Sequence, residues 1–104
     1  VYDASFNQAR ADRIVKTLDF CLEQGVKVII SNAPYLTKAP VRESLCHKTL
    51  VEIAQSRGIP HLDFMQMEEF NADPSLFHDT DHLNRRGTDA YMDLFIPALK
   101  SLIY

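Results

Sequence analysis

The sequence carries no excess of basic residues: eleven Lys and Arg stand against fourteen Asp and Glu, for a formal net charge of -3. That balance lacks the electrostatic footprint of a nucleic-acid binder and excludes anionic polymers as partners. Long apolar runs are missing too. The longest, Val28-Ile29-Ile30 with its neighbours, falls far short of the roughly 20 residues needed to span a bilayer, so no membrane span is expected. Cysteine is scarce, and neither Cys21 nor Cys46 has a second Cys or a His at metal-ligand spacing. Both are read as small buried hydrophobes in helices, with a disulfide between them left open. A starting Met and the charged, apolar and small-residue zones of a signal peptide are absent, and the chain is accordingly read as a piece of something longer. Its 104 residues make one domain at most.

What is present is ordinary for a folded chain: 46% hydrophobic and 24% charged residues, which argues against both disorder and a fibrous repeat. From Phe6 to Gln24 the apolar positions Ile14, Leu18, Cys21 and Leu22 recur at helical spacing, with Ser5 as N-cap and Gly25 placed for a left-handed C-cap. Val26 to Ile30 is β-branched and almost continuously apolar, the pattern of a parallel strand covered on both faces. After a loop from Asn32 to Lys38, Pro40 suits the first turn of a second helix, whose buried stripe is Leu45, Cys46, Leu50, Ile53 and Ala54, with His47 on the exposed side. Gly58 ends it as Gly25 ended the first.

A second short strand follows from Ile59 to Phe64, its start weakened by Pro60 and therefore assigned to an edge. Met65 to Phe70 is read as one helical turn, and Asn71 to Asp81 as a polar loop with a turn at Asp73-Pro74. The last helix, Arg85 to Ile103, buries Tyr91, Leu94, Phe95, Ala98 and Leu102 and is expected to kink at Pro97. Strands alternating with helices predict an α/β architecture in three layers, with right-handed crossovers and a short parallel sheet flanked by helices. Two parallel strands are too few to bury one another. Residues 1–104 therefore read as a single partial α/β domain, half of a doubly wound one.

The densest group of functional side chains is His78-Asp79-Thr80-Asp81-His82, followed by Leu83-Asn84-Arg85-Arg86-Gly87. It lies between the second strand and the last helix, where loops at the carboxyl ends of parallel strands form ligand crevices. One tight turn can bring Asp79 onto the imidazole Nδ1 of His82, fixing the tautomer and leaving Nε2 to take a proton from a nucleophile. The competing reading makes Asp81 or Asn84 a helix cap and His82 an ordinary surface or core histidine. A metal held by His78 and His82 with Asp79 and Asp81 would need the segment to be helical, and no metal or cofactor is expected. Ser31 as a nucleophile lacks the sharp Gly-flanked turn that presents such a serine. Met65, Met67, Phe64 and Phe70 read as an apolar packing patch. In the loop after the first strand, Asn32 and Tyr35 are candidates for substrate contact, against the plainer reading of Tyr35 as a half-buried loop aromatic.

The run Phe77-His78-Asp79-Thr80-Asp81-His82-Leu83-Asn84-Arg85-Arg86-Gly87 resembles the last block of the SGNH (GDSL-type) hydrolases, Asp-x-x-His followed by Leu-Asn-x-x-Gly and a helix. The strand Gly58 to Phe64 stands before it in the order that family shows. The resemblance implies a flavodoxin-like, SGNH-type fold, with Asp79 the orienting acid and His82 the general base of a Ser-His-Asp triad and Leu83 and Asn84 structural. It implies ester hydrolysis or acyl transfer, with an acylated saccharide or envelope polymer as the substrate class and the cell envelope or an extracytoplasmic compartment as location. The family's Gly-Asp-Ser block and oxyanion-hole glycine have no counterpart among Ser5, Ser31, Ser44, Ser56, Ser75, Ser101 and the three glycines. The expected partner is thus a missing amino-terminal half of the same domain or a second copy, and the chain alone is expected to be inactive. The alternative is a non-catalytic α/β interaction or assembly module.

Overall fold

The computed structural model describes residues 6–37, 39 and 44–103; the expected roles of Ser5 and Pro40 lie outside them. Helix α1 (Gln8–Glu23) is opened by Asn7, whose side chain accepts the Arg10 N–H at 3.2 Å and so satisfies one of the amides that a helix start leaves unpaired. Its end is a Schellman motif: Gly25 turns the chain at φ 76°, its N–H bonds Leu22 O, and the Val26 N–H bonds Cys21 O. Helix α2 (Leu45–Ser56) repeats the device. Ser44 caps it through His47 N, Gly58 takes φ 64°, and the Ile59 N–H returns to Ala54 O.

These two caps explain why the strands are shorter than the apolar runs suggest. Val26 and Ile59 spend their amides on the helix ends, so pairing starts later, where Ile30 N bonds Pro60 O at 2.9 Å. Strand β1 is Ile30–Asn32 and β2 is His61–Asp63, and they pair as a two-stranded parallel sheet that closes with Phe64 N on Asn32 O. The expected strand from Val26 is thus corrected: residues 26–29 lie outside the strand, and Val26 is exposed. Pro60 joins the ladder through its carbonyl, the one backbone group it can offer.

Cα packing divides the chain into two compact units, Val1–Ile30 with Val41–His61 and Ser31–Pro40 with Leu62–Tyr104. In the first, the buried face of α1 is centred on Ala11 with Val15 and Leu18 partly covered, so the expected stripe is rotated: Ile14 and Leu22 are exposed. On α2, Ile53 and Ala54 are buried as expected, but Leu45 and Cys46 face outward. His47, expected outside, is buried, its ring centroid 6.2 Å from that of His61. His47 stands seven residues before Ala54 and so shares its side of the helix, whereas Leu45 lies half a turn away from Ala54. Cys21 and Cys46 form no disulfide. Arg57 grips Asp19 with two bonds, Nε to Oδ1 at 2.7 Å and Nη2 to Oδ2 at 3.3 Å.

The second unit has an aromatic core. Phe70, Leu76, Phe77 and Tyr91 are buried, with Phe64, Met67 and Phe95 packed against them. Tyr91 takes Phe64 and Phe70 edge to face, at centroid distances of 5.6 and 6.5 Å. Of the Met and Phe patch read from the sequence, Phe70 belongs to this core and Phe64 and Met67 pack against it. Helix α3 (Glu68–Asn71) is the short turn, placed slightly later than expected, and a 3-10 turn follows at Pro74–Leu76, with Asp73 accepting both the N–H and the hydroxyl of Ser75. Helix α4 (Arg85–Ile103) has the predicted bounds and runs on through Pro97. Tyr91 is buried and Phe95 and Ala98 partly so, whereas Leu94 and Leu102, expected inside, are exposed.

Candidate functional site

The site grows from a closure in the backbone. Phe77 and Leu83 form an antiparallel bridge, and between them His78 N bonds His82 O at 2.8 Å, so residues 78–82 make a tight loop with a fixed base. Asn84 fastens that base. Its Nδ2 donates to Ser75 O and Phe77 O, its own N–H bonds Leu76 O, and its Oδ1 accepts the Gly87 N–H, which caps α4. Gly87 is buried against this knot. A Cβ there would run into the Leu76 carbonyl and the Leu83 side chain, so a hydrogen at that position is a steric requirement.

Inside the loop one carboxylate organises the turn. Asp79 Oδ1 accepts the N–H of Asp81 at 2.9 Å and of His82 at 2.8 Å, and the His82 Nδ1 lies 2.8 Å from Oδ1 and 3.0 Å from Oδ2. The Asp81 amide, then the His82 ring, hold the Asp79 carboxyl below the ordinary carboxylate range. An ionised carboxylate only accepts hydrogen bonds, so Nδ1 must carry a proton, and in the neutral ring Nε2 then holds the lone pair. The His82 side chain is 72% exposed and that of Asp79 53%, so Nε2 is open to a reactant. No hydroxyl of a described serine bonds His82: Ser75 donates to Asp73, Ser101 to Ala98 O, and Ser31 stands on β1.

The two readings of this segment prove compatible. Asn84 caps the helix, and Asp79 pairs with His82. Asn32, Tyr35, Asp79 and His82 all fall in the second unit. The loop that carries Tyr35 is joined to the Asp79–His82 loop by the Leu36 N–H, which bonds Thr80 O at 3.0 Å. Asn32 closes β1 and its carbonyl serves the ladder. The His78–His82 segment is a turn instead of a helix, and no group of three His, Cys, Asp or Glu among the described residues could hold a metal ion. Sequence reasoning missed Asn71, which is buried and donates through Nδ2 to Tyr35 O and Met65 O. A single Asn in a run expected to be polar loop carries no signal of burial.

No protein-family model, curated protein or solved structure matches the chain.

Proposed function

We propose that the chain supplies the Asp and His of a Ser-His-Asp triad to an SGNH-type esterase or acyltransferase, as the carboxyl-terminal part of a three-layer, flavodoxin-like domain. The observation that supports this reading is the Asp79–His82 pair, bonded at 2.8 Å with Nε2 open. In the reaction, a serine hydroxyl adds to the ester carbonyl while its proton passes to His82 Nε2. Asp79 stabilises the imidazolium through Nδ1, and the proton then leaves with the departing alcohol as the acyl group stays on the serine. Water repeats the cycle in reverse to release the acid. A base acting alone contributes only about 10²–10⁴-fold, so the chain without the serine and oxyanion donors turns over no ester. The substrate class proposed is an acylated saccharide, in keeping with the resemblance.

The second reading, a non-catalytic assembly module, is favoured by Phe20, which is 62% exposed on α1. One pair of measurements separates the two. In the chain itself, ¹⁵N NMR of the His82 ring at neutral pH is expected to show the Nδ1–H tautomer, shifting toward Nε2–H in Asp79→Asn. In the protein encoded by the full open reading frame, p-nitrophenyl acetate hydrolysis is expected and is lost in His82→Ala. An Nε2–H tautomer indifferent to Asp79→Asn sinks the dyad; hydrolysis indifferent to His82→Ala, or none, leaves the assembly module.

A further inference from the structure

Three consecutive residues beside the Asp79–His82 loop each have a backbone group engaged. Tyr35 O accepts Asn71 Nδ2 at 2.7 Å, Leu36 N bonds Thr80 O at 3.0 Å, and Thr37 N bonds Asn71 O at 3.1 Å. Asn71 holds the first and third of these and reaches Met65 O at 3.1 Å as well, so its amide group spends both protons on carbonyls. It is 7% exposed and sits at the end of α3, directly after the core residue Phe70. A buried amide so fully satisfied is costly to disturb, because each carbonyl left behind loses a donor.

The middle bond gives this latch its bearing on the site. Thr80 is inside the turn organised by Asp79, so whatever fixes Leu36 also fixes the spacing between the Tyr35 segment and the His82 loop. With the Leu36 and Thr37 amides already bonded, neither is free to stabilise an oxyanion; what the segment can offer a substrate is the half-exposed side chain of Tyr35. We infer that Asn71 is a positioning residue that holds the Tyr35–Thr37 segment as a rigid wall beside the His82 loop, and that this wall binds the substrate through the Tyr35 side chain. The inference rests on the hydrolase reading above.

Two measurements test it. Asn71→Asp keeps the size and removes the donor; Asn71→Ser withdraws the side chain from both carbonyls and serves if the aspartate variant does not fold. In the chain itself, the Leu36 and Thr37 amides are expected to exchange with solvent about fivefold to tenfold faster, on the order of one lost hydrogen bond, while the Val26 amide keeps its rate. Unchanged exchange at Leu36, or equal acceleration at Val26, overturns the latch. In the protein from the full open reading frame, Asn71→Asp and Tyr35→Ala are each expected to raise KM for a p-nitrophenyl ester by more than they lower kcat. The double variant should be no worse than Tyr35→Ala alone, because Asn71 acts through Tyr35. Full additivity, or a loss confined to kcat, overturns the inference while leaving His82-dependent hydrolysis in place. Absence of His82-dependent hydrolysis fells the hydrolase reading and the inference with it.

Discussion

The two units solve the problem of holding a small core in different ways. The first relies on aliphatic side chains: among its described residues the buried apolar ones are Ala11, Ile53, Ala54 and Ile59, and Ile14, Phe20 and Leu45 remain outside. Hydrogen-bonded ends do much of its work, through two matching Schellman caps and the double bond from Arg57 to Asp19. The second packs four large residues into one cluster and surrounds it with a bonded knot at Asn84 and a buried amide at Asn71. Burying an aromatic removes far more apolar surface from water than burying an alanine, so the second unit has the stiffer foundation. The Asp79–His82 loop is built on that foundation, and a general base must be held to within a fraction of an ångström to be useful.

The largest effect that sharpens this contrast is expected at Tyr91. Tyr91→Ala removes the ring that Phe64, Phe70 and Phe95 all touch and should cost about 3–5 kcal/mol, the range for deleting a buried aromatic. Phe20→Ala, on the exposed face of α1, should change stability by no more than about 0.5 kcal/mol. Urea titrations followed by circular dichroism compare the two directly. Equal losses would break the contrast, by showing that Phe20 is covered in solution.

A smaller cost is expected at Gly87, where the obstruction is backbone. Gly87→Ala drives a methyl group into the Leu76 carbonyl, the same atom that accepts the Asn84 N–H. Overpacking of this kind costs about 1–3 kcal/mol, and relief requires the base of the His82 loop to move. The chemical shifts of His82 should therefore change along with the melting temperature, whereas Gly58→Ala, with open space around its Cβ but φ 64°, should lower stability and leave His82 untouched. A Gly87→Ala protein with wild-type His82 shifts would mean that the knot does not set the loop.

Much of this was legible in the sequence where the deciding physics is local. The bounds of α4, the two glycine caps, the Asp73-Pro74 turn and the Asp79–His82 contact each depend on residues within a few positions of one another. Helix faces were less legible. An apolar pattern fixes a stripe only to within a turn's width, and Ala11 with His47 inside and Ile14 with Leu45 outside is decided by what the opposing surface offers. The strand from Val26 was overread because its composition is right for a ladder, while its first amide was already committed to Cys21. Asn71 was invisible for a related reason: its partners Tyr35 and Met65 come from two other segments, and no spacing rule connects them.

The smallest effect expected is acid sensitivity, and it tests whether the polar fastenings of the two units count equally. Among the described residues three carboxyls are held below the usual carboxylate range: Asp19 by the Arg57 hydrogen bonds, Asp73 by the hydroxyl and amide of Ser75, and Asp79 by the Asp81 amide and the His82 ring. A carboxyl that ionises more readily folded than unfolded leaves the unfolded chain binding more protons at low pH, so stability rises with pH across that interval. The contribution is complete above the unfolded value and is lost as the pH falls from about 4 through the lower folded values. All three groups are at the surface, where water and salt screen them, so each share is small and should shrink further at high ionic strength. Thermal melts from pH 2 to 7 are expected to show falling stability below about pH 4, flattened in part by Asp19→Asn for the first unit and by Asp79→Asn for the second. If Asp19→Asn leaves the acid limb at its wild-type slope while Asp79→Asn flattens it, the Arg57–Asp19 grip contributes nothing measurable. The first unit would then be held by its helix caps and its small core alone.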